Sequence, residues 1–398
     1  MELIKTAEPV GDYLNQEAIK MEYTTANLEQ LYLEYYSRVD IDVPDIQRRE
    51  LAFIYWNDKE GIRDRPCYFE TNEELNKFLR RVPRASVYHS TAYYLDPNER
   101  TMPKKGWQKC DLIFDIDGDC PEGKYMDMLG RLGKHTKTLI DEFLVEDFGI
   151  PLEDIRIEFS GKKGFHLTVL SDEWKTLSKE GRRQLIDYIE GCKVDKTVLF
   201  PEKKGYIMCN PNAKGWRKYA RRTVESLLEL SEDLTAEEIE PILSEWGFPK
   251  VRTKKISDLL TQPKIRQAVL EGRLSPLTSK GERTLTDLMR MVVKQHNLGL
   301  GGCIDRKVTF DTNRIIRAPG TLHCKSGFPC ITITYEDLTN PVSIFDKIRE
   351  TVGTDEITVK IAQATSIETD TGIIELEVGV HTLPRWIGIA LLSKISYN

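Results

Sequence analysis

Four aspartates fall within nine residues, Asp111-Leu112-Ile113-Phe114-Asp115-Ile116-Asp117-Gly118-Asp119. Alternation of apolar and acidic residues at period two is the signature of a strand, whose successive side chains point to opposite faces. Leu112, Phe114 and Ile116 then share one face, and Asp111, Asp115, Asp117 and Asp119 share the other, with Ile113 among them. A row of carboxylates repels itself unless cations neutralise it. Asp115 and Asp117, two apart on one face, suit a pair of hard divalent ions bound through oxygen. That arrangement serves two-metal phosphoryl or nucleotidyl transfer. The plain alternative is a strand that runs out into an acidic turn at Gly118.

A second feature is the turn Ser160-Gly161-Lys162-Lys163-Gly164, set between the alternating runs Ile155–Phe159 and Phe165–Val169. This pattern predicts a hairpin. Glycines permit tight backbone geometry and close approach of a ligand. A serine hydroxyl, backbone N–H groups and two lysines suit a triphosphate, and a regular hairpin points His166 to the same polar side. The alternative is a surface hairpin with solvated lysines.

A third feature runs from Cys303 to Gly327. Asp305 offers a third carboxylate. A short helix is expected, capped by Thr309 or Asp311, with Arg314 and Arg317 on one of its faces. Pro319-Gly320 then ends it and delivers His323 and Lys325, for which solvated surface positions are the competing expectation. The run Lys214-Gly215-Trp216-Arg217-Lys218-Tyr219-Ala220-Arg221-Arg222 interleaves bases and aromatics, as single-strand binders do. A solvated helix face with buried aromatics is the favoured reading of it.

With 398 residues, about two domains are expected. Residues 1–25 read as an N-terminal extension, 26–170 and 299–398 as a β-rich core, and 171–298 as an inserted, mainly helical subdomain. Net charge is −6, so any nucleic-acid surface must be local rather than global. The eight cysteines are scattered without a CxxC pair, which points to reduced thiols in a cytosol. Neither a signal peptide nor a membrane-spanning run is visible, so a cytoplasmic protein is expected. Between the acidic strand and the glycine turn only Cys120 and His135 are available as zinc ligands, where a closed site needs about four. Structural zinc is therefore not expected.

The ordered set Asp115-Ile116-Asp117, Ser160-Gly161-x-x-Gly164-x-His166-Leu167, and Asp305 with Arg317-Ala318-Pro319-Gly320-Thr321-Leu322-His323-x-Lys325-Ser326-Gly327 resembles the small, catalytic subunit of archaeal and eukaryotic-type DNA primase, in its archaeal form. The lead-in segments Arg49–Phe53, Val87–Tyr94 and Lys105–Trp107, and the run Glu142–Ile150, are also similar to that family. The resemblance implies an α+β fold, with an RRM-like catalytic core of mixed sheet and a helical subdomain. It implies synthesis of short primers de novo on single-stranded DNA from nucleoside triphosphates, in replication. By the same resemblance Asp115, Asp117 and Asp305 are catalytic and bind two Mg2+ or Mn2+ ions. Ser160, Gly161, Lys162, Lys163, His166, Arg317 and His323 hold the triphosphate, and Arg65 matches a family arginine near the nucleotide. A large regulatory subunit is the implied partner in a heterodimer. The competing functions are a self-sufficient primase-polymerase of a mobile element or repair pathway, and a non-catalytic DNA-binding relative. The segment Asp119–Lys137 is too short and ligand-poor for the zinc knuckle that archaeal relatives usually carry.

Overall fold

The computed structural model describes residues 22–397, apart from 57–60, 63, 122, 193, 204–205, 211–212, 279–281 and 301–302. The expected N-terminal extension lies almost wholly outside the described residues. The chain is α+β. Two four-stranded antiparallel sheets carry the polar motifs. In the first, the order is Ile331–Thr332, Ile155–Phe159, Gly164–Val169 and Leu112–Asp117. In the second it is Ile315–Arg317, Ser86–Ser90, Leu51–Ile54 and Asp64–Cys67. A third sheet near the C-terminus is mixed: Glu356–Ile361 pairs in parallel with Glu22–Tyr23 and antiparallel with Gly379–Pro384.

The acidic strand forms as its alternation predicts. Leu112, Phe114 and Ile116 are fully buried on the core face, packed where burial of apolar area stabilises most. The helix Tyr125–Thr138 follows and continues as a π-helical segment, Leu139–Asp147. The hairpin Ile155–Phe159/Gly164–Val169 then returns to pair beside the acidic strand. Helices dominate the described residues from Lys179 to Leu300, interrupted by the short antiparallel strands Glu202–Lys203 and Tyr206–Ile207. Their apolar residues merge into the same hydrophobic core as the sheets.

Several local expectations are corrected. The helix in the third motif is short, Arg306–Phe310, and Asp305 caps it by accepting the Lys307 N–H at 2.8 Å. Thr309 is buried inside it. Arg314 and Arg317 share no helix: Arg317 lies in the strand Ile315–Arg317 and Arg314 just precedes it. Two adjacent isoleucines, β-branched and able to pair with Ser86–Ser90, favour the strand. Asp111 leaves the acidic row. It is buried, with Arg49 at 2.7 Å and the Tyr93 hydroxyl at 2.8 Å. Trp216 and Tyr219 are buried in the helix Trp216–Asp233, as the bland reading of that basic run expected.

Candidate active site

Three strands set one polar row. Register places Asp115 opposite His166, and His166 opposite Glu158. His166 Nε2 lies 3.7 Å from Asp115 Oδ1, too long for a hydrogen bond. Asp117 faces Gly164 one step along. Only glycine fits there, because a Cβ would come within 2.0 Å of the Ile116 carbonyl oxygen. The glycine lets the hairpin lie flush against the acidic strand, and so fixes Lys163 and His166 over it.

Asp305 reaches the same place from far along the chain. Its N–H donates to the Asp115 carbonyl at 2.8 Å, and the Asp117 N–H donates to the Cys303 carbonyl at 2.9 Å. The bridge between Ile116 and Ile304 sits between those bonds. The third acidic residue is thereby locked to the backbone of the first two. Its carboxylate is half engaged: Oδ1 caps the following helix, and Oδ2 lies 4.0 Å from Arg314 Nη2.

The electrostatics match crowding. Burial, then Asp305, pushes the Asp115 carboxyl up to about 6. Burial and Asp115 raise Asp117. Asp115 Oδ1 is buried and accepts no hydrogen bond. A buried, unpaired oxygen among mutually repelling carboxylates is costly, and a hard divalent cation would relieve both costs. The donor set fits such an ion by its chemistry. Among the described residues no three acidic, histidine or cysteine side chains are already gathered as a cage.

The cradle opposite is basic and firmly held. Ser160 N–H donates to the Gly164 carbonyl at 2.9 Å, closing the turn. Gly161 has φ of +85°, a left-handed backbone that favours glycine. Ser326 Oγ donates to the Gly161 carbonyl, and the Tyr125 hydroxyl donates to that of Lys162. Burial, then Lys325 and Lys163, lowers Lys162. Arg317 is buried. It donates to Ser86 Oγ at 3.1 Å and the Tyr88 hydroxyl at 3.2 Å, and its guanidinium lies over the Tyr88 ring.

Both histidines are neutral near pH 7. Burial brings His166 down to about 4, with Glu158 opposing and Arg317 adding to the shift. Burial, Arg317 and Lys162 depress His323 well below the usual range. His323 Nδ1 accepts the Lys325 N–H at 3.0 Å, so the ring carries its proton on Nε2 as a donor.

Arg65 stands apart. It lies on the opposite edge strand of the second sheet, with its Nε 2.6 Å from Glu50 Oε1. Sequence reasoning missed Ser86, Tyr88, Tyr125 and Glu158. The first two alternate with Val87 on a strand, so a polar face was visible, but not that Arg317 would meet it.

The family model described as DNA primase small subunit matches residues 114–335. The chain is similar to the DNA primase small subunit PriS of Methanocella arvoryzae, with 29% identity over 394 residues, 93% of this chain and 97% of the relative. It is 32% identical to that of Thermoplasma acidophilum over 302 residues, 75% of this chain and 76% of the relative. Against that of Haloarcula marismortui it is 29% identical over 392 residues, 94% and 97% of the two chains.

Proposed function

Because the chain belongs to the DNA primase small-subunit family, we propose that it is the catalytic subunit of a primase that joins nucleotides de novo on single-stranded DNA. The core is assigned to 26–170 and 299–398, with an RRM-like sheet layout, and the helical subdomain to 171–298. The observation that carries the reading is the backbone lock that sets Asp305 beside Asp115 and Asp117.

Asp115, Asp117 and Asp305 would hold two Mg2+ or Mn2+ ions, whose Lewis acidity would activate an attacking 3′-hydroxyl and offset charge on the leaving phosphates. Lys162, Lys163 and Arg317 then bind the triphosphate and stabilise charge that develops during transfer. The turn's backbone and Ser160 fix its position. His323, with its proton on Nε2, donates to a phosphate oxygen. Neutral His166 orients against Asp115 without forming a competing ion pair. Arg65 is assigned a supporting part at the nucleotide's edge, through its strand. A large regulatory subunit is the proposed partner, and the cytoplasm the proposed location.

The test is incorporation of labelled nucleotide on unprimed single-stranded DNA, by the chain alone and with the large subunit. Asp115→Ala/Asp117→Ala is expected to abolish incorporation while the circular dichroism spectrum is kept. Incorporation unchanged in that variant would overturn the site. Priming by the chain alone would favour a self-sufficient primase-polymerase. DNA binding without any incorporation, under either metal, would leave a non-catalytic relative.

A further inference from the structure

A pocket of about 370 Å3 lies behind the glycine turn, between it and the C-terminal elements. That volume falls in the range of ligand sites, about 300–1,000 Å3. Five segments meet around it: the stretch after the acidic strand, the turn, the loop at 325–328, the hairpin Thr365–Thr369/Gly372–Leu376, and the helix Arg385–Tyr397. None of Asp115, Asp117, Asp305 or His166 lines it, and Lys162 is the one residue it shares with the proposed triphosphate cradle.

Its lining has two characters. Phe328, Ile367 and Ile373 give an apolar wall, while Lys162, Lys325 and Lys394 bring three ammonium groups against one acidic side chain, Glu368. Lys394 Nζ spends one donor on the Ser366 carbonyl at 2.7 Å and keeps two. Lys162 and Lys325 form no ion pair among the described residues. Glu368 is already committed, accepting the Tyr125 N–H at 2.7 Å. Three cations against a single carboxylate, beside an apolar surface, suit an anion with a flat apolar body.

We propose that this pocket binds a second nucleotide, its phosphates on Lys325 and Lys394 and its base against Phe328 and Ile373. The inference goes beyond the primase reading and rests on it only for the location of the first nucleotide. A ligand there touches both the C-terminal helix and the turn that cradles the substrate, so occupancy would tie the two together.

Cys120 lines the pocket and is exposed, so its alkylation reports occupancy without any catalysis. The experiment follows N-ethylmaleimide labelling of Cys120 in the full chain by peptide mass spectrometry, with ATP in divalent-free buffer. At an ATP concentration about ten times its Kd, labelling slows about tenfold, since only the empty fraction reacts. Protection is lost in Ile373→Trp, which fills the pocket from an exposed hairpin position, and needs more ATP in Lys394→Glu. It persists in Lys163→Glu, which weakens the proposed catalytic cradle but does not line this pocket. Equal labelling with and without ATP, or protection untouched in both pocket variants, would overturn the proposal. So would loss of protection in Lys163→Glu, because ATP would then be acting from the catalytic cradle. Equal protection by inorganic tripolyphosphate would reduce the site to a phosphate site and refute the nucleotide assignment.

Discussion

Asp115 is half-buried against its own charge. Its carboxyl titrates near 6 in the folded chain, against 3.8 when unperturbed. Between those pH values the folded state binds more protons than the unfolded one, so stability falls as pH rises. Below about pH 4 the cost is absent, and above about pH 6 it is present in full. Asp115→Asn is therefore expected to flatten the stability profile across that window and to gain about 2–3 kcal/mol at neutral pH in divalent-free buffer. Urea melts at several pH values check this. Adding Mg2+ or Mn2+ is expected to raise the Tm of the native chain and to leave that of Asp115→Asn/Asp117→Asn unchanged. Gly164 carries a steric rather than an electrostatic demand. Gly164→Ala drives a methyl into the Ile116 backbone, with an expected loss of about 3 kcal/mol or more in denaturant melts. The alternation that marked Asp115 and Asp117 was legible because strand period is a local property. Glu158 was not, because its importance comes only from lying opposite His166 in the paired register.

At the scale of elements, the hairpin and the acidic strand were readable from period and turn chemistry. The strand Ile315–Arg317 was misread as helix because charge spacing was weighed above the two isoleucines. What decided the matter was the partner strand Ser86–Ser90, invisible in a local window. The second sheet is anchored by a buried charge pair that the sequence does not advertise. Lys105 Nζ lies 2.5 Å from Glu50 Oε2, both almost wholly buried, and Arg65 holds the other Glu50 oxygen. Glu50→Gln leaves the Lys105 ammonium in the interior without a counter-charge. The expected loss is about 3–5 kcal/mol by urea denaturation, with Lys105→Met/Glu50→Gln recovering part of it.

At the scale of the whole molecule, one core joins the sheets to the helices, and the last helix, Arg385–Tyr397, is part of it, with Trp386 through Ser393 all buried. Truncation after Pro384 exposes that core and is expected to yield insoluble chain, checked by the soluble fraction on expression and by circular dichroism. The helical stretch was legible as a change of character after residue 171, but not its fusion with the sheets, since packing between distant segments leaves no periodic trace. Asp305 illustrates the price of such distance. It joins Asp115 and Asp117 only after the entire 118–302 stretch has closed on itself, a loop whose closure entropy must be met by native contacts elsewhere. A nascent or nicked fragment ending before that point holds two of the three acids and has no means of recruiting the last. On the proposed reading such a fragment is expected to incorporate no nucleotide, and activity would then certify that the chain has been made past Asp305 and folded around it.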